Sequence, residues 1–269
     1  VFIDCTDDDR LYLRYEDLFR SGLGVVTSNR RSLAVPYVQY AALKAAAREN
    51  GTFFRYDTTV GTSLPILESI ASGANCSDSI ESIEAVVSCT LNYVLTAHER
   101  PECEESLAAL LHRAQKERLS ETDPRTDLGG RDVLRKLLIL AREAGVPLEE
   151  SDVQITPMLG REFFDCPIEE FYSRLEALEP KIQIREKQLA AEGKRQRFVA
   201  MMRRDPSARL GYRAEIKMVD VSADSPFYWL SGTENVTVIK SEYSAPLVIR
   251  GAGEGVRLAA SGIIRDVLL

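Results

Sequence analysis

The chain has 269 residues, enough for one large domain or two modest ones, with 45% hydrophobic and 28% charged residues as in a soluble globular protein. Its net charge of −7 argues against a nucleic-acid partner, and no apolar run reaches the roughly 18 residues a membrane span needs. Five scattered cysteines without a Cys-x-x-Cys pair, and no signal peptide, fit free thiols in a reducing, cytoplasmic setting. With only His98 and His112 available, acid–base chemistry falls to Lys, Asp, Glu or Tyr.

Val1 to Thr6 reads as a buried strand, and the acids Asp7 to Asp9 open a helix over about 10–21. Val25-Val26-Thr27 is a second strand. Pro36 starts a helix to Glu49, and Thr52 to Asp57 is a third strand. Strand–helix–strand–helix–strand with short links predicts a parallel sheet. Ligands bind past the carboxyl ends of such strands, near Thr6 and Arg30. The glycine fingerprint of a dinucleotide fold is missing from the start, so the sheet reads as half of one, cut from something longer.

Pro65 opens the next helix, and Ile80 to Val87 is a strand. Ser88 is placed as the N-cap of a helix, and Glu104 to Arg118 is an amphipathic helix. Beyond Gly145 come a strand over 151–155, helices over 167–178 and 181–192, and strands over about 197–203, 212–220, 236–240 and 246–250. The basic stretch 194–204 reads as a strand whose charges form a solvated face. The strand run predicts a mostly antiparallel sheet, and the glycines from Gly251 to Gly255 precede a last helix. That loop serves either a phosphate or close helix packing. The fold class is therefore α/β plus α+β. A partial Rossmann-like parallel sheet over 1–57 and 247–269 carries an inserted α+β catalytic and dimerisation domain over 58–246.

The most informative stretch is 120–142. An acidic loop with Glu121, Asp123 and Asp127 enters a strongly apolar helix. Asp132 lies in its first turn and Lys136 four residues on, on one face. Such a pair is either a solvated salt bridge or a lysine poised to transfer a proton.

This stretch resembles the homoserine dehydrogenase portion of bifunctional aspartokinase–homoserine dehydrogenases. Val26 to Arg30, Thr58 to Gly61, Ser88 to Tyr93, Thr233 to Asn235, Pro246 to Ile249 and Gly251 to Gly255 are similar in the same order. The resemblance implies NAD(P)H-dependent reduction of L-aspartate 4-semialdehyde to L-homoserine, toward threonine, methionine and isoleucine. It implies Lys136 as general acid and base, Asp132 as its positioning partner, and Glu121, Asp127 and Thr90 as substrate contacts. Thr6, Arg30 and Gly255 match cofactor positions, with NADP or NAD as cofactor. Asp57, Val60, Thr62 and Leu64 match a loop that holds a monovalent cation such as Na+, although a purely structural turn is the other reading. A homodimer and a preceding aspartokinase are implied as well.

The sequence departs from the family's pattern at four places. Arg30 stands where the family has Lys, Cys89 where it has Gly, Leu119 where it has Tyr, and Thr62-Ser63 where it has Ala-Gly. Arginine holds charge but does not relay a proton, which leaves Lys136 as the donor. A stretch lacking the phosphate loop is expected to turn over slowly or not at all alone. A non-catalytic dimerisation or regulatory module is the alternative, with Cys89 and Leu119 in its favour, and a related oxidoreductase is a third.

Overall fold

The computed structural model describes residues 1–269, the side chain of Ala74 apart. Three parallel strands, β1 (Phe2–Asp4), β2 (Val25–Thr27) and β3 (Phe54–Arg55), form one sheet in the order β1-β2-β3. The crossovers contain α1 (Tyr15–Arg20) and α2 (Tyr37–Glu49). Tyr15, Phe19, Val25, Leu43 and Ala47 bury together against these strands. The predicted strand–helix alternation therefore gives the parallel sheet. β1 is an edge strand with Ile3 47% exposed, so it is less buried than its apolar run suggests.

The carboxyl ends of β1 and β2 are tied by polar groups. Asp4 is buried and accepts from the Tyr15 hydroxyl, from Thr6 and from Asn29. Burial pushes its carboxyl up, but those hydrogen bonds prevail and hold it below the usual value.

Helix α3 (Ile66–Asn75) leads to the second sheet, whose strands run β5-β7-β6-β4-β8-β9. In chain order its elements are β4 (Ile80–Val86), α4 (Cys89–His98), α5 (Leu107–Lys116), α6 (Arg125–Leu128), α7 (Arg131–Glu143) and β5 (Val153–Ile155). Then come α8 (Ile168–Ala191), β6 (Lys194–Arg204), β7 (Tyr212–Ser222), β8 (Glu234–Ser241), β9 (Leu247–Ala252) and α9 (Val256–Leu268). Only the β5–β7 pair is parallel. Ser88 caps α4 as its residue type predicts, accepting from the Leu91 amide.

Three sequence expectations change here. The two helices over 167–178 and 181–192 are one helix, α8, with Pro180 inside it. A proline removes one intrahelical bond. The helix continues because both halves are anchored: Phe171, Leu175 and Leu189 are buried, and Glu179 binds His98 and the Leu107 amide. The charges of 194–204 are not all solvated. Arg197 lies on the central strand β6, fully buried, and bonds Glu99 at 2.7 and 2.8 Å together with the Phe227 and Tyr228 carbonyls. Finally, Leu247–Ala252 pairs antiparallel with β8 as an edge of the second sheet, as the strand run predicts, although the domain boundary at 247 grouped it with the nucleotide-binding part.

Helix α7 lies between the two sheets. Its apolar face, including Val133, Leu134, Leu137, Leu138 and Leu140, fills the core as its spacing predicts. It starts at Gly130, whose φ is +74°; a Cβ there would also lie 3.0 Å from the Phe198 ring.

Candidate active site

A cleft of about 840 Å³ opens between the parallel sheet and the α+β body. Its lining includes Arg30, Thr62, Thr90, Glu121, Asp127, Asp132, Lys136, Glu254 and Gly255. Eight of the twelve residues singled out by sequence for catalysis, substrate, cofactor or cation thus share one wall system: Arg30, Thr62, Thr90, Glu121, Asp127, Asp132, Lys136 and Gly255. Thr6, Asp57, Val60 and Leu64 stand outside the lining. Thr6 is exposed at the end of β1, with its amide and hydroxyl turned back onto Asp4 at 2.8 and 2.7 Å.

The centre of the cleft is a three-residue charge network of fixed geometry, Arg30–Asp132–Lys136. Lys136 is only 6% exposed; its Nζ lies 2.9 Å from Asp132 Oδ2 and donates to the Val87 carbonyl at 2.5 Å. The other oxygen of Asp132 accepts from Arg30 Nη1 at 2.9 Å, and Arg30 Nε donates to the Thr59 carbonyl at 2.9 Å. Arg30 is delivered by a short turn after β2, which Asn29 caps by accepting from the Arg31 amide. Burial alone raises the Asp132 carboxyl, but the charges of Lys136 and Arg30 outweigh it and hold the group well below the usual carboxylate range. Asp132 is therefore an anion that orients an ammonium, which is more than a solvated surface pair does.

The acidic rim lies on the loop before α7. Asp127 accepts from Ser120 Oγ at 2.8 Å and the Glu121 amide at 3.0 Å, yet burial keeps its carboxyl above the usual value. The Thr90 hydroxyl donates to the Leu119 carbonyl at 2.5 Å, leaving its lone pairs for a ligand. Sequence reasoning missed Glu254, a further carboxylate of this lining, raised by burial against the pull of Lys136. It was hidden inside a glycine-rich motif. Its backbone is fixed, because Gly253 donates to the Thr233 carbonyl at 3.1 Å and accepts from Thr62 Oγ1 at 2.6 Å. A Cβ on Gly253 would lie 2.3 Å from Asn235. Cys89 is also in the lining, its Sγ donating to Asn235 Oδ1 at 3.6 Å, and burial raises its thiol.

The loop from Asp57 to Leu64 packs under α9. The Asp57 carboxylate is paired with Arg265 at 3.2 Å, and its amide donates to Asp266 Oδ2 at 3.0 Å. Burial and the Asp266 charge push the Asp57 carboxyl up to about 6, against the opposing charge of Arg265. Among the described residues no group of three or more His, Cys, Asp or Glu could hold a metal ion. The donor set for a cation is thus one carboxylate that already has a cationic partner, plus backbone carbonyls.

A parallel sheet whose strand ends face a buried lysine–aspartate pair across a cleft is a build that suits a dehydrogenase. The chain belongs to the homoserine dehydrogenase family, whose sequence model matches residues 65–268. It is 33% identical to the bifunctional aspartokinase/homoserine dehydrogenase of Haemophilus influenzae, over 100% of this chain and 32% of that protein. The chain therefore spans about a third of the length of that relative. Among solved structures, a Candida auris protein of unknown function superposes with a TM-score of 0.87 at 27% identity, covering 99% of this chain and 74% of that one. A homoserine dehydrogenase from a hyperthermophilic archaeon, in complex with NADPH, shares the fold with a TM-score of 0.73 at 23% identity, covering 99% of this chain and 69% of that one.

Proposed function

We propose that this chain forms the catalytic portion of a homoserine dehydrogenase, interconverting L-aspartate 4-semialdehyde and L-homoserine on the route to threonine, methionine and isoleucine. The observation that carries this reading is the buried Lys136 ammonium, held 2.9 Å from Asp132 inside a cleft rimmed by Glu121 and Asp127. A nicotinamide cofactor, NADP or NAD, supplies or takes up the hydride when bound. Thr6, Arg30 and Gly255 would hold it across the ends of β1 and β2 and the start of α9. Orphaned Thr58 Oγ1, buried in the cleft wall, is a free polar partner that suits such a ligand.

The chain's own residues account for the proton. Lys136 donates from Nζ to the aldehyde oxygen as negative charge develops there, and takes the proton back from the hydroxyl in the reverse direction. Asp132 fixes the direction of that ammonium, and Arg30 holds the second oxygen of Asp132 so that it does not rotate away. Glu121 and Asp127 receive the α-ammonium of the amino acid, with Thr90 beside them. The amino-acid pocket belongs to residues 58–246. Residues 1–57 and the helix at the end of the chain make part of the nucleotide-binding domain.

The same reading gives a homodimer in a reducing, cytoplasmic compartment, with an aspartokinase preceding this chain. Its relatives from Haemophilus influenzae and Zea mays are bifunctional aspartokinase/homoserine dehydrogenases, which supports the fusion. No helix is long and apolar enough to cross a membrane among the described residues. The test is homoserine-dependent reduction of NADP+ by the full-length protein that carries this sequence. Steady NADPH formation supports the reading; its absence with a folded protein supports the non-catalytic module instead.

A further inference from the structure

The loop over 57–64 carries the pattern expected of a monovalent cation site, yet a side chain of the chain itself reaches into it. Helix α9 approaches this loop closely: a Cβ on Gly262 would lie 2.4 Å from Thr58 Cγ2 and 3.1 Å from the Thr62 carbonyl. One turn on, Arg265 reaches back over the loop. Its Nη2 donates to Asp57 Oδ2 at 3.2 Å and its Nη1 to the Ser63 carbonyl at 3.2 Å. Its Nε is buried without a partner. The next residue, Asp266, is 2% exposed and holds the Asp57 amide. α9 thus grips Asp57 at both its charge and its backbone.

A monovalent ion in such a loop does two things. It neutralises the carboxylate and draws a backbone carbonyl toward the same centre. The guanidinium does both, with one permanent positive charge and a planar set of donors. It also needs no dehydration of a metal ion on assembly. Asp57 and Asp266 otherwise place a partly buried and a buried carboxylate side by side, which favours a nearby positive charge.

We propose that the Arg265 guanidinium is the resident cation of the 57–64 loop, so that this protein needs no monovalent metal ion to order its cleft wall. Thr62 and Gly253 link that loop to the Gly251–Gly255 turn, so the order of the loop sets the position of the cleft's cofactor side.

The test is thermal unfolding of the full-length protein in N-methylglucamine chloride, NaCl and KCl at equal ionic strength. The native protein is expected to melt at one temperature in all three salts. Arg265→Ala is expected to melt lower in N-methylglucamine chloride and to regain several degrees, saturably, in NaCl or KCl, as ligand linkage requires. Arg265→Lys, which keeps the charge, should lie between them and respond less to metal. Saturable stabilisation of the native protein by Na+ or K+ over N-methylglucamine would overturn the proposal, because the loop would then bind a metal beside the guanidinium. Equal melting of Arg265→Ala and the native protein in all three salts would overturn it too. The readout is unfolding, so it stands apart from whether homoserine is the substrate.

Discussion

Asp132 and Lys136, one helical turn apart, hold oxygen and nitrogen at 2.9 Å within the cleft, and the second Asp132 oxygen lies 2.9 Å from Arg30. One carboxylate thus aligns two cations that come from different sheets' surroundings, β2 and α7. Neutralising it leaves those cations facing each other without a mediator. Asp132→Asn should lower kcat roughly tenfold or more, since Lys136 loses its fixed direction.

The same residue predicts a pH dependence of stability. Burial opposes ionisation, but Lys136 and Arg30 hold the Asp132 carboxyl well below its ordinary value, so the folded protein binds this proton less readily than the unfolded chain. Its stabilisation is present above the unfolded value of about 4 and is lost as pH falls through the folded one. Melting curves of the native protein and Asp132→Asn should therefore converge in acid and separate toward neutrality. Parallel curves across that range would show that the pair is energetically silent.

His98 gives the opposite sign. Burial disfavours its charge, yet Glu186 at 2.7 Å and Glu179 at 2.8 Å accept from its two ring nitrogens and raise it above the ordinary value. Its contribution is complete below the unfolded value of about 6.5 and is lost as pH rises through the folded one. As pH rises from the unfolded value of about 6.5 through the raised folded one, the native melting temperature should fall relative to that of His98→Gln. A constant difference between the two would show that His98 does not titrate in this window.

Arg197 tests the buried network that joins β6 to the end of α4. It is fully buried against Glu99 and two carbonyls. Arg197→Met should cost about 3 kcal/mol, because Glu99 keeps only Arg195 at 3.3 Å. Urea unfolding measures it. A loss under about 1 kcal/mol would mean that the remaining ion pair suffices.

The strongest periodicities in the sequence correspond to the elements that position the site. The apolar spacing of 133–140 gives α7 and the Asp132–Lys136 face, and the short strand–helix alternation gives β1 to β3. Local pattern gave no warning where long-range contacts decide. Pro180 looks like a helix end, but Glu179 beside it is anchored by α4 and α5. Arg197 looks solvated until β6 is known to be a central strand with Glu99 beneath it. Glu254 and Arg265 are unremarkable in sequence, since each acquires its partner across 118 to 208 residues of chain. The resemblance pointed to the 57–64 loop as a cation site; only the packing of α9 shows that Arg265 pairs with its carboxylate.

Lys136 is the proposed carrier of the proton, and the rest of the site is arranged around it. The direct measurement is kcat for homoserine oxidation by Lys136→Ala in the full-length protein, beside the native enzyme. A fall of at least about two orders of magnitude, the usual scale for an acid–base residue, is expected with the protein folded. A variant with near-normal kcat would contradict it, and the proton donor would have to be another group of the cleft.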